Sequence, residues 1–279
     1  LVEDGIVDGW DDPRLVSLSA LRRRGYTPES IKKFMELVGV AKSHSSVDSA
    51  MLEYCIRDDL KLKRPRMAAI LDPIKLVITN YPEGEGELVD VPNNQENEEM
   101  GTRQVPFSRE LYIEREDFKI EKPKKYRRLY VGNEVRLMQA YFVKCVSYET
   151  DENGNVTVVH CTYDPATKGG NAPDGRKVKG TIHWVEASNA GKATVRLYEN
   201  IVDEEKGVYN KEDGSLNVNP NSLTTVTAYV EPVLMEAKGY DSFQFVRNGF
   251  FCVDAKDSRP DALVFNRIVS LKSSFKLPK

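Results

Sequence analysis

The residues best suited to chemistry lie in one short segment, YRRLYVGNEVRLMQAY at positions 126–141, which combines arginines with tyrosines. The surrounding residues 119–144 carry eight basic and two acidic side chains, although the whole chain has a formal net charge of −3. A run of charge alone is most often a solvated surface. Nucleobases stack on aromatic rings, however, and phosphates pair with Arg and Lys. The combination therefore predicts an RNA-binding surface.

The same segment contains a turn signal. Gly132-Asn133 lies between runs of Val, Leu and Tyr, which predicts a β-hairpin with a tight two-residue turn. In that hairpin Arg127 would pair with Met138. Arg128 would point to the opposite face, because successive side chains alternate along a strand. Either the two arginines contact different bases or a bulge intervenes.

Length and composition limit the class of protein. A chain of 279 residues is long enough for two or three domains, and 40% hydrophobic with 30% charged residues is typical of soluble globular proteins. No stretch approaches the roughly 20 apolar residues of a membrane helix, and the N-terminus lacks a signal-peptide pattern. We therefore expect a cytoplasmic protein that does not contact membranes. The first residue is leucine, which suggests a processed product or an excised fragment.

Residues typical of catalytic and metal sites are sparse. The chain has four widely spaced cysteines and three histidines, which argues against a disulfide framework and a zinc site. His160 and Cys161 are neighbours, but adjacent residues of a strand point to opposite faces. No Walker loop, G-x-S-x-G, H-E-x-x-H or dinucleotide-binding motif is present. The pattern predicts a binding protein without catalytic or metal-ligating residues.

The elements that must position the basic segment begin with helices. Residues 1–64 are predicted to form a small helical bundle. Asp11-Asp12-Pro13 predicts the start of the first helix and Gly25 its end, Thr27-Pro28 caps the second, and the third covers about 47–60.

Three consecutive arginines, Arg22, Arg23 and Arg24, end the predicted first helix. Cations there suit the negative end of the helix dipole. Contact with a nucleic-acid backbone is the second interpretation. The sequence leaves both open.

From residue 65 onward the pattern indicates β-structure. Short runs of alternating or β-branched residues are separated by turn dipeptides, which indicates antiparallel barrels or sandwiches and not a parallel βαβ sheet. Residues 83–99 hold seven acids and no base, and are predicted to be a solvated loop. The predicted fold class is α+β, a small helical bundle followed by two antiparallel β-barrels. The predicted strands are 67–71, 75–78, 111–113, 129–131, 134–146, 156–163, 177–185, 194–198, 224–229, 243–246, 250–253 and 265–271.

Five longer blocks are more specific than any short motif. They read GWDDPR at 9–14, LRRRGY at 21–26, RQVPFS at 103–108, DGRKVKG at 174–180 followed by IHWV at 182–185, and FQFVR at 243–247. In this order they closely resemble the C-terminal half of glutaminyl-tRNA synthetases of bacterial type. The resemblance covers essentially the whole chain.

The resemblance implies a domain layout and an activity. Residues 1–64 would be the helical domain beneath the catalytic core, 65–120 with 224–279 the proximal anticodon-binding β-barrel, and 121–223 the distal one, both related to ribosomal protein L25. The family's ATP-handling HIGH and KMSKS signatures would lie upstream. The chain would then be part of a class I glutamine–tRNA ligase, lacking the catalytic domain and inactive alone. ATP and Mg would belong to the full-length enzyme, and no cofactor to this fragment.

The resemblance also implies a partner, glutamine tRNA, bound at its anticodon loop and inner stem by a monomer. It assigns the middle anticodon uridine to Arg66, Gln244 and Arg247. An amide matches the N3–H and carbonyl groups of uracil, and arginine adds a forked donor.

The resemblance assigns the third anticodon base, a guanine, to Arg128 with help from Lys125 and Arg127, since guanine O6 and N7 accept a guanidinium bidentately. Arg136 would meet the first base or its phosphate. Lys125 replaces the glutamine of the bacterial pattern and Met138 an arginine, which leaves the reading of the third and first bases open. Weaker contacts to the tRNA backbone are assigned to Arg22, Arg23, Lys122 and Lys124.

Three other functions are compatible with parts of the sequence. A glutamyl-tRNA synthetase of archaeal or eukaryotic type resembles these barrels and would differ in anticodon preference. A free-standing ribosomal-RNA binder of the L25 type would prefer 5S-type RNA, although the helical segment and the length argue against it. A carbohydrate-binding or protein-interaction β-module would show no salt-dependent RNA binding.

Overall fold

The computed structural model describes residues 1–39, 46–203 and 205–272. The chain forms two compact units and passes between them more than once. Unit 1 comprises Leu1–Pro65, Thr194–Val226 and Ala237–Lys279, and unit 2 comprises Arg66–Ala193 and Thr227–Glu236.

The described residues form α1 (Leu18–Arg24), α2 (Pro28–Val38) and α3 (Ser49–Lys61). Their strands are β1 (Arg66–Met67), β2 (Ala69–Ile70), β3 (Pro73–Ile78), β4 (Gly86–Pro92), β5 (Thr102–Ser108), β6 (Glu110–Glu114), β7 (Glu134–Leu137), β8 (Phe142–Thr150), β9 (Val156–Asp164), β10 (Thr181–Ile182), β11 (Val185–Glu186), β12 (Gly191–Tyr198), β13 (Leu223–Val230), β14 (Ser242–Phe245), β15 (Gly249–Val253) and β16 (Val264–Val269).

Side-chain caps set the helix starts. Thr27 accepts a hydrogen bond from the Ser30 amide at 3.2 Å, so α2 begins as predicted. The predicted start of α1 at Asp11-Asp12-Pro13 is wrong. The Ser17 hydroxyl accepts from the amide of Ala20 at 3.1 Å and caps α1 there, whereas Asp12 is buried and bound by Arg14 at 2.7 Å.

The helices share a core with strands of unit 1. Leu21 of α1 and Ile56 and Leu60 of α3 form one buried cluster with Phe250 of β15 and Ile268 of β16. α1 and α3 therefore pack on a sheet, in which the strands of unit 1 follow the order β14, β15, β16, β12 and the first part of β13.

Unit 2 contains a barrel-like sheet in the order β10, β7, β8, β9, β3, β6, β11. Its core includes Leu76, Leu111, Val143 and Val159, all fully buried. β3 pairs with β9 and β7 pairs with β10, both in parallel, and in unit 1 β12 is parallel to β16. The purely antiparallel pairing predicted from the sequence is therefore wrong at these three pairs. The structure is a mixed α/β arrangement with few helices.

The predicted boundary at 120/121 also differs from the observed division. β3 and β6 precede it and β7, β8 and β9 follow it, yet all five belong to one sheet. Short turns gave no indication of this, because the β3–β9 pair joins segments about 80 residues apart in sequence.

The acid-rich segment 83–99 is not only a solvated loop. Its residues Gly86–Pro92 form β4 and pair along their whole length with β5. Val89 is buried in the core of unit 2 together with Val105 and Phe107 of β5. Val89 and Val91 alternate with the exposed Leu88 and Asp90, so one face of β4 is packed while the other is solvated. The count of acids concealed that alternation.

Candidate nucleic-acid interface

The turn at Gly132-Asn133 does not join two paired strands. The Asn133 amide donates to the Tyr130 carbonyl at 2.9 Å, but Gly132 donates to the carbonyl of Cys145, and the Cys145 amide donates back to Asn133. β7 begins after this turn and pairs with β8 and β10. The predicted hairpin is therefore wrong. The turn is held instead against β8, and residues 129–131 form no strand.

The basic residues lie on a loop whose two ends are fixed. The Lys119 amide donates to the Leu129 carbonyl at 3.0 Å, and the Leu129 amide donates to Asp117 at 2.9 Å. Leu129 and Phe118 are buried in the core of unit 2. The residues between these anchors are therefore displayed on a short closed loop, with Lys125 in the left-handed conformation at φ 67°.

This loop and a second segment line an open pocket of about 560 Å³, here called the basic cleft. The two segments meet at Gly180, where a Cβ would lie 2.1 Å from the Arg127 carbonyl oxygen, so only glycine allows this approach. The cleft is lined by Lys122, Lys125, Tyr126, Arg127, Tyr130, Asn133 and Glu134 from the first segment and by Arg176, Lys177, Val178 and Lys179 from the second.

The cations of the cleft differ in whether a carboxylate faces them. Arg176 contacts Glu134 at 2.9 Å, Asp164 at 2.6 Å and Asp174 at 2.7 Å. Hydrogen bonds to Glu134 and then to the two aspartates raise the pKa of Arg176, and the arginine neutralises Glu134, the only carboxylate among the described residues that line the cleft. The other five cations, Lys122, Lys125, Arg127, Lys177 and Lys179, make no ion pair with any residue that the structure describes. They are available to an external anion.

Two tyrosines provide aromatic surface beside these cations. The ammonium of Lys122 lies 5.3 Å from the ring centroid of Tyr130, within the range of a cation–π contact. Tyr126 is held in place because its hydroxyl donates to the Glu116 carbonyl at 2.9 Å. The cleft therefore combines positive charge with rings on which a base can stack.

The structure brings together only some of the residues predicted as a site. Lys122, Lys125 and Arg127 line the cleft, and Lys124 is exposed on the same loop but outside the lining. Arg128 contacts Glu116 at 2.7 Å and the buried Asp117 at 3.0 Å. Arg127 and Arg128 thus face different surroundings, although no hairpin causes this.

Arg136 is also outside the cleft lining. Its guanidinium lies 5.3 Å from the ring centroid of Phe142, and a Cβ on Gly170 would come within 3.0 Å of its Cδ. Its Nε is buried and has no hydrogen-bond partner among the described residues. The side chain is thus fixed by packing, and its guanidinium is not committed to any carboxylate that the structure describes.

The three residues assigned to the middle base belong to different units. In unit 2, Arg66 forms an ion pair with Glu96 at 2.5 Å. In unit 1, Gln244 lies in β14, and its backbone N–H donates to the Pro65 carbonyl at 2.9 Å. Arg247 lies in the turn between β14 and β15 with φ 67°, a conformation uncommon for a residue other than glycine.

The arginines of α1 have different surroundings. Arg23 is only 7% exposed and binds the buried Asp254 at 3.0 Å and Asp257 at 2.9 Å. Its assignment to the tRNA backbone is therefore not supported, because the guanidinium is occupied inside unit 1. Arg24 donates to the Arg267 carbonyl at 3.0 Å, whereas Arg22 is exposed, 5.6 Å from the ring centroid of Tyr240.

Other kinds of site are less developed. The four cysteines are free and buried. Across residues 1–39, 46–203 and 205–272, no three or more His, Cys, Asp or Glu side chains are grouped so that they could hold a metal ion. Within the same ranges, no helix is both long and apolar enough to cross a membrane.

Comparison with known proteins identifies the family. Residues 65–164 and 181–254 match two models of the anticodon-binding domain of class I tRNA synthetases (E and Q), and residues 1–62 match the model of their catalytic domain. The chain belongs to the class I tRNA synthetases of the E and Q type. The catalytic-domain match corrects the expectation that this domain is wholly absent, since part of it is represented by residues 1–62.

Curated relatives of this synthetase family agree over the whole chain. It is 55% identical over 280 residues to a glutamine–tRNA ligase of Clostridium kluyveri, covering 100% of this chain and 50% of that protein. Identity to the ligase of Clostridium perfringens is 56% over 281 residues, and to that of Vibrio vulnificus 49% over 275 residues, each covering 99% of this chain. The chain spans about half the length of the curated relatives it matches.

The family comparison separates the two sides of the cleft. The loop with Lys122, Lys125 and Arg127 lies within the matched range 65–164, whereas residues 176–179 fall between the two matched ranges. Arg176, Lys177 and Lys179 were not predicted as site residues. The alternation of Lys177 and Lys179 with Val178 and Gly180 was a readable signal, but only the fold brings this segment to the basic loop.

Proposed function

We propose that this chain is the anticodon-reading part of a glutamine–tRNA ligase that acts as a cytoplasmic monomer and that the basic cleft binds nucleotides of the anticodon loop. The partner is glutamine tRNA. The two barrel-like sheets correspond to the family's two anticodon-binding barrels of the L25 type, and the helices of residues 1–64 to its helical domain beside the catalytic core.

One observation carries this proposal. Five cations without carboxylate partners among the described residues line one pocket together with Tyr126 and Tyr130. Most of them lie in the range that matches an anticodon-binding domain. Phosphates supply the missing counter-charges, and splayed bases stack on tyrosine rings.

The individual bases are assigned as the resemblance implies. Arg66, Gln244 and Arg247 read the middle uridine, and Arg136 meets the first base or its phosphate. In support, Arg66 is oriented by Glu96, and Arg136 is held against Phe142 without a carboxylate partner among the described residues.

For the third base, Arg127 and Lys125 act from the cleft. Arg128 acts from beside Glu116 and Asp117, whose ion pairs fix the direction of its guanidinium. A fixed fork suits the two acceptors on the edge of guanine.

Ligation in the full-length enzyme requires ATP and Mg. The described residues do not fit a site for the metal, since they contain no grouping of three His, Cys, Asp or Glu side chains that could hold one. The role proposed for this chain is therefore to bind and orient tRNA, and it includes no step through either cofactor.

The decisive experiment compares two transcripts at one moderate salt concentration. Binding of this chain to glutamine tRNA is measured beside the same tRNA with its middle anticodon uridine changed to cytidine. We expect clear loss of affinity on that change. Equal binding would contradict anticodon reading and leave only attraction by charge.

Variants then test the assignment of the middle base. Arg247→Ala or Arg66→Ala is expected to lower affinity for the correct anticodon and to leave the changed one nearly unaffected. Arg259→Ala is the matched control in unit 1, since this exposed arginine donates to the nearby carbonyl groups of Lys256 and Ser258. Equal weakening of both anticodons by Arg247→Ala would contradict its role as a base reader.

A third transcript separates glutamine from glutamate specificity. Changing the third anticodon guanine to cytosine converts a glutamine anticodon to a glutamate anticodon. We expect weaker binding, and we expect Arg128→Ala to reduce the difference by about 1–3 kcal/mol, the value of a bidentate contact to guanine. Preference for cytosine would favour the glutamyl-tRNA synthetase instead.

A further inference from the structure

The second segment of the cleft, residues 176–179, has no role among the base contacts described above. Lys177 and Lys179 are exposed and line the cleft, while Val178 between them packs against the core of unit 2. This alternation directs both lysines away from the core. They face the same pocket as Lys125 and Arg127.

The position of this segment is fixed on both sides. At its C-terminal end, the Arg136 amide donates to the Gly180 carbonyl at 2.8 Å, and Gly180 packs against the backbone of Arg127. At its N-terminal end, Arg176 is held by Glu134, Asp164 and Asp174. The two lysines are therefore carried on a backbone that is anchored before an RNA arrives.

The electrostatic surroundings favour an anion over a neutral group. Of the residues that the structure describes, Glu134 is the only carboxylate in the cleft lining, and Arg176 neutralises it. Neither Lys177 nor Lys179 has an ion-pair partner in the part of the chain that the structure describes. An arriving phosphate would meet two ammonium groups without displacing a carboxylate.

We propose that Lys177 and Lys179 form a phosphate-binding wall of the basic cleft, which grips the backbone of the anticodon loop whatever its sequence. A lysine ammonium is a point charge on a flexible stem and lacks the forked geometry of arginine, so it pairs with phosphate without reading a base edge. Arg127 and the tyrosines across the cleft provide the base contacts. This inference rests on the proposed function. It adds contacts with the phosphate backbone to the base contacts of the same site.

The test is the salt dependence of tRNA binding by Lys177→Ala/Lys179→Ala in the 279-residue chain. Each lost phosphate contact to a single strand lowers the slope of log K against log salt by about 0.7, so the double variant should lose about 1.4. The ratio of the wild-type affinity to that of the double variant should then grow about sevenfold as salt is lowered from 0.2 M to 0.05 M. This ratio should be the same for the correct and the changed middle base.

Two controls accompany this variant. Lys177→Arg/Lys179→Arg keeps the charge and should retain the wild-type slope. Lys75→Ala/Lys192→Ala removes the same charge from unit 2 outside the cleft lining, where Lys75 pairs with Glu110 and Lys192 lies over Tyr229. It should change the slope less than the cleft variant does.

Each result decides a separate question. A slope equal to that of the Lys75→Ala/Lys192→Ala control would overturn the phosphate wall. A loss of affinity confined to one of the two anticodons would also overturn it, because the lysines would then read a base. If wild type binds both anticodons equally, the proposed function fails, yet the change in slope still reports whether the lysines contact phosphate.

Discussion

The arginines at the end of α1 and the basic residues of the cleft differ in what faces them. Arg23 meets Asp254 and Asp257 inside unit 1, so its charge is compensated by the protein itself. In the cleft, Arg127 and Lys125 meet no described carboxylate. A run of basic residues thus serves structure in unit 1 and, in the function proposed above, ligand binding in unit 2, and the distribution of acids decides which.

The acids around Arg23 form a network that explains its burial. Asn266 donates to Asp254 at 2.6 Å, and Arg196 contacts Asp257 at 2.7 Å. Burial alone would raise the pKa of Asp254, but the hydrogen bond from Asn266, backbone amides and the charge of Arg23 outweigh it and lower that pKa. The network links α1 to β16, to β12 and to the residues that follow β15 within unit 1.

The largest expected effect is a loss of folding stability in Arg23→Ala. This variant tests whether the charge of Arg23 serves structure, in contrast to the cations of the cleft. Removing one partner leaves the buried Asp254 without its main cation, which typically costs about 3–5 kcal/mol. The free energy of unfolding in urea is the measurement. Arg22→Ala is the matched control, since the neighbouring arginine is exposed. If Arg23→Ala lowered the free energy of unfolding by less than Arg22→Ala does, the structural role of Arg23 would be contradicted.

The next effect concerns the contact that joins the two segments of the cleft. In Gly180→Ala the added Cβ would meet the Arg127 carbonyl, so the backbone must shift, at a cost of about 1–3 kcal/mol. We expect both lower stability and weaker tRNA binding, because the cleft is displaced. Urea unfolding and binding at fixed salt measure the two. Weakened stability with unchanged binding would mean that the two segments act independently.

A smaller loss of folding stability is expected at acidic pH. The pKa values of Asp12 and Asp254 are lowered in the folded protein, so near and below pH 4 the unfolded chain binds more protons and stability falls as pH decreases. Their contribution is complete above that range. Unfolding in urea between pH 5 and pH 3 measures the slope, which Asp254→Asn should flatten. An unchanged slope would show that this carboxylate does not contribute.

The smallest effect is expected from Arg22→Ala itself. An exposed cation–π contact is worth about 0.5–1 kcal/mol, so the loss of its contact with Tyr240 should lower stability by no more than that. If Arg22 also contacts the tRNA backbone, affinity for all tRNAs should fall slightly and equally, as measured by binding at low salt. A loss as large as that of Lys177→Ala/Lys179→Ala would extend the interface to α1.

The prediction of local structure succeeded where nearby residues decide it. Thr27-Pro28 begins α2 and Gly25 ends α1, as predicted, because capping depends on residues within one turn. It failed at Gly132-Asn133, since the partner of that turn is Cys145 in β8 and not the adjacent run. It also missed β4, where alternating apolar residues enter a core that the count of acids did not reveal.

By itself the sequence determined the family resemblance, the position of the basic aromatic segment, the end of α1 and the start of α2, because these depend on residue identity and short-range spacing. Only the tertiary structure decided which cations are available. It placed Asp254 and Asp257 around Arg23, and it brought Lys177 and Lys179 to the loop of Lys125. The physical reason is that an ion pair depends on separation in space, and pairing between distant strands sets that separation.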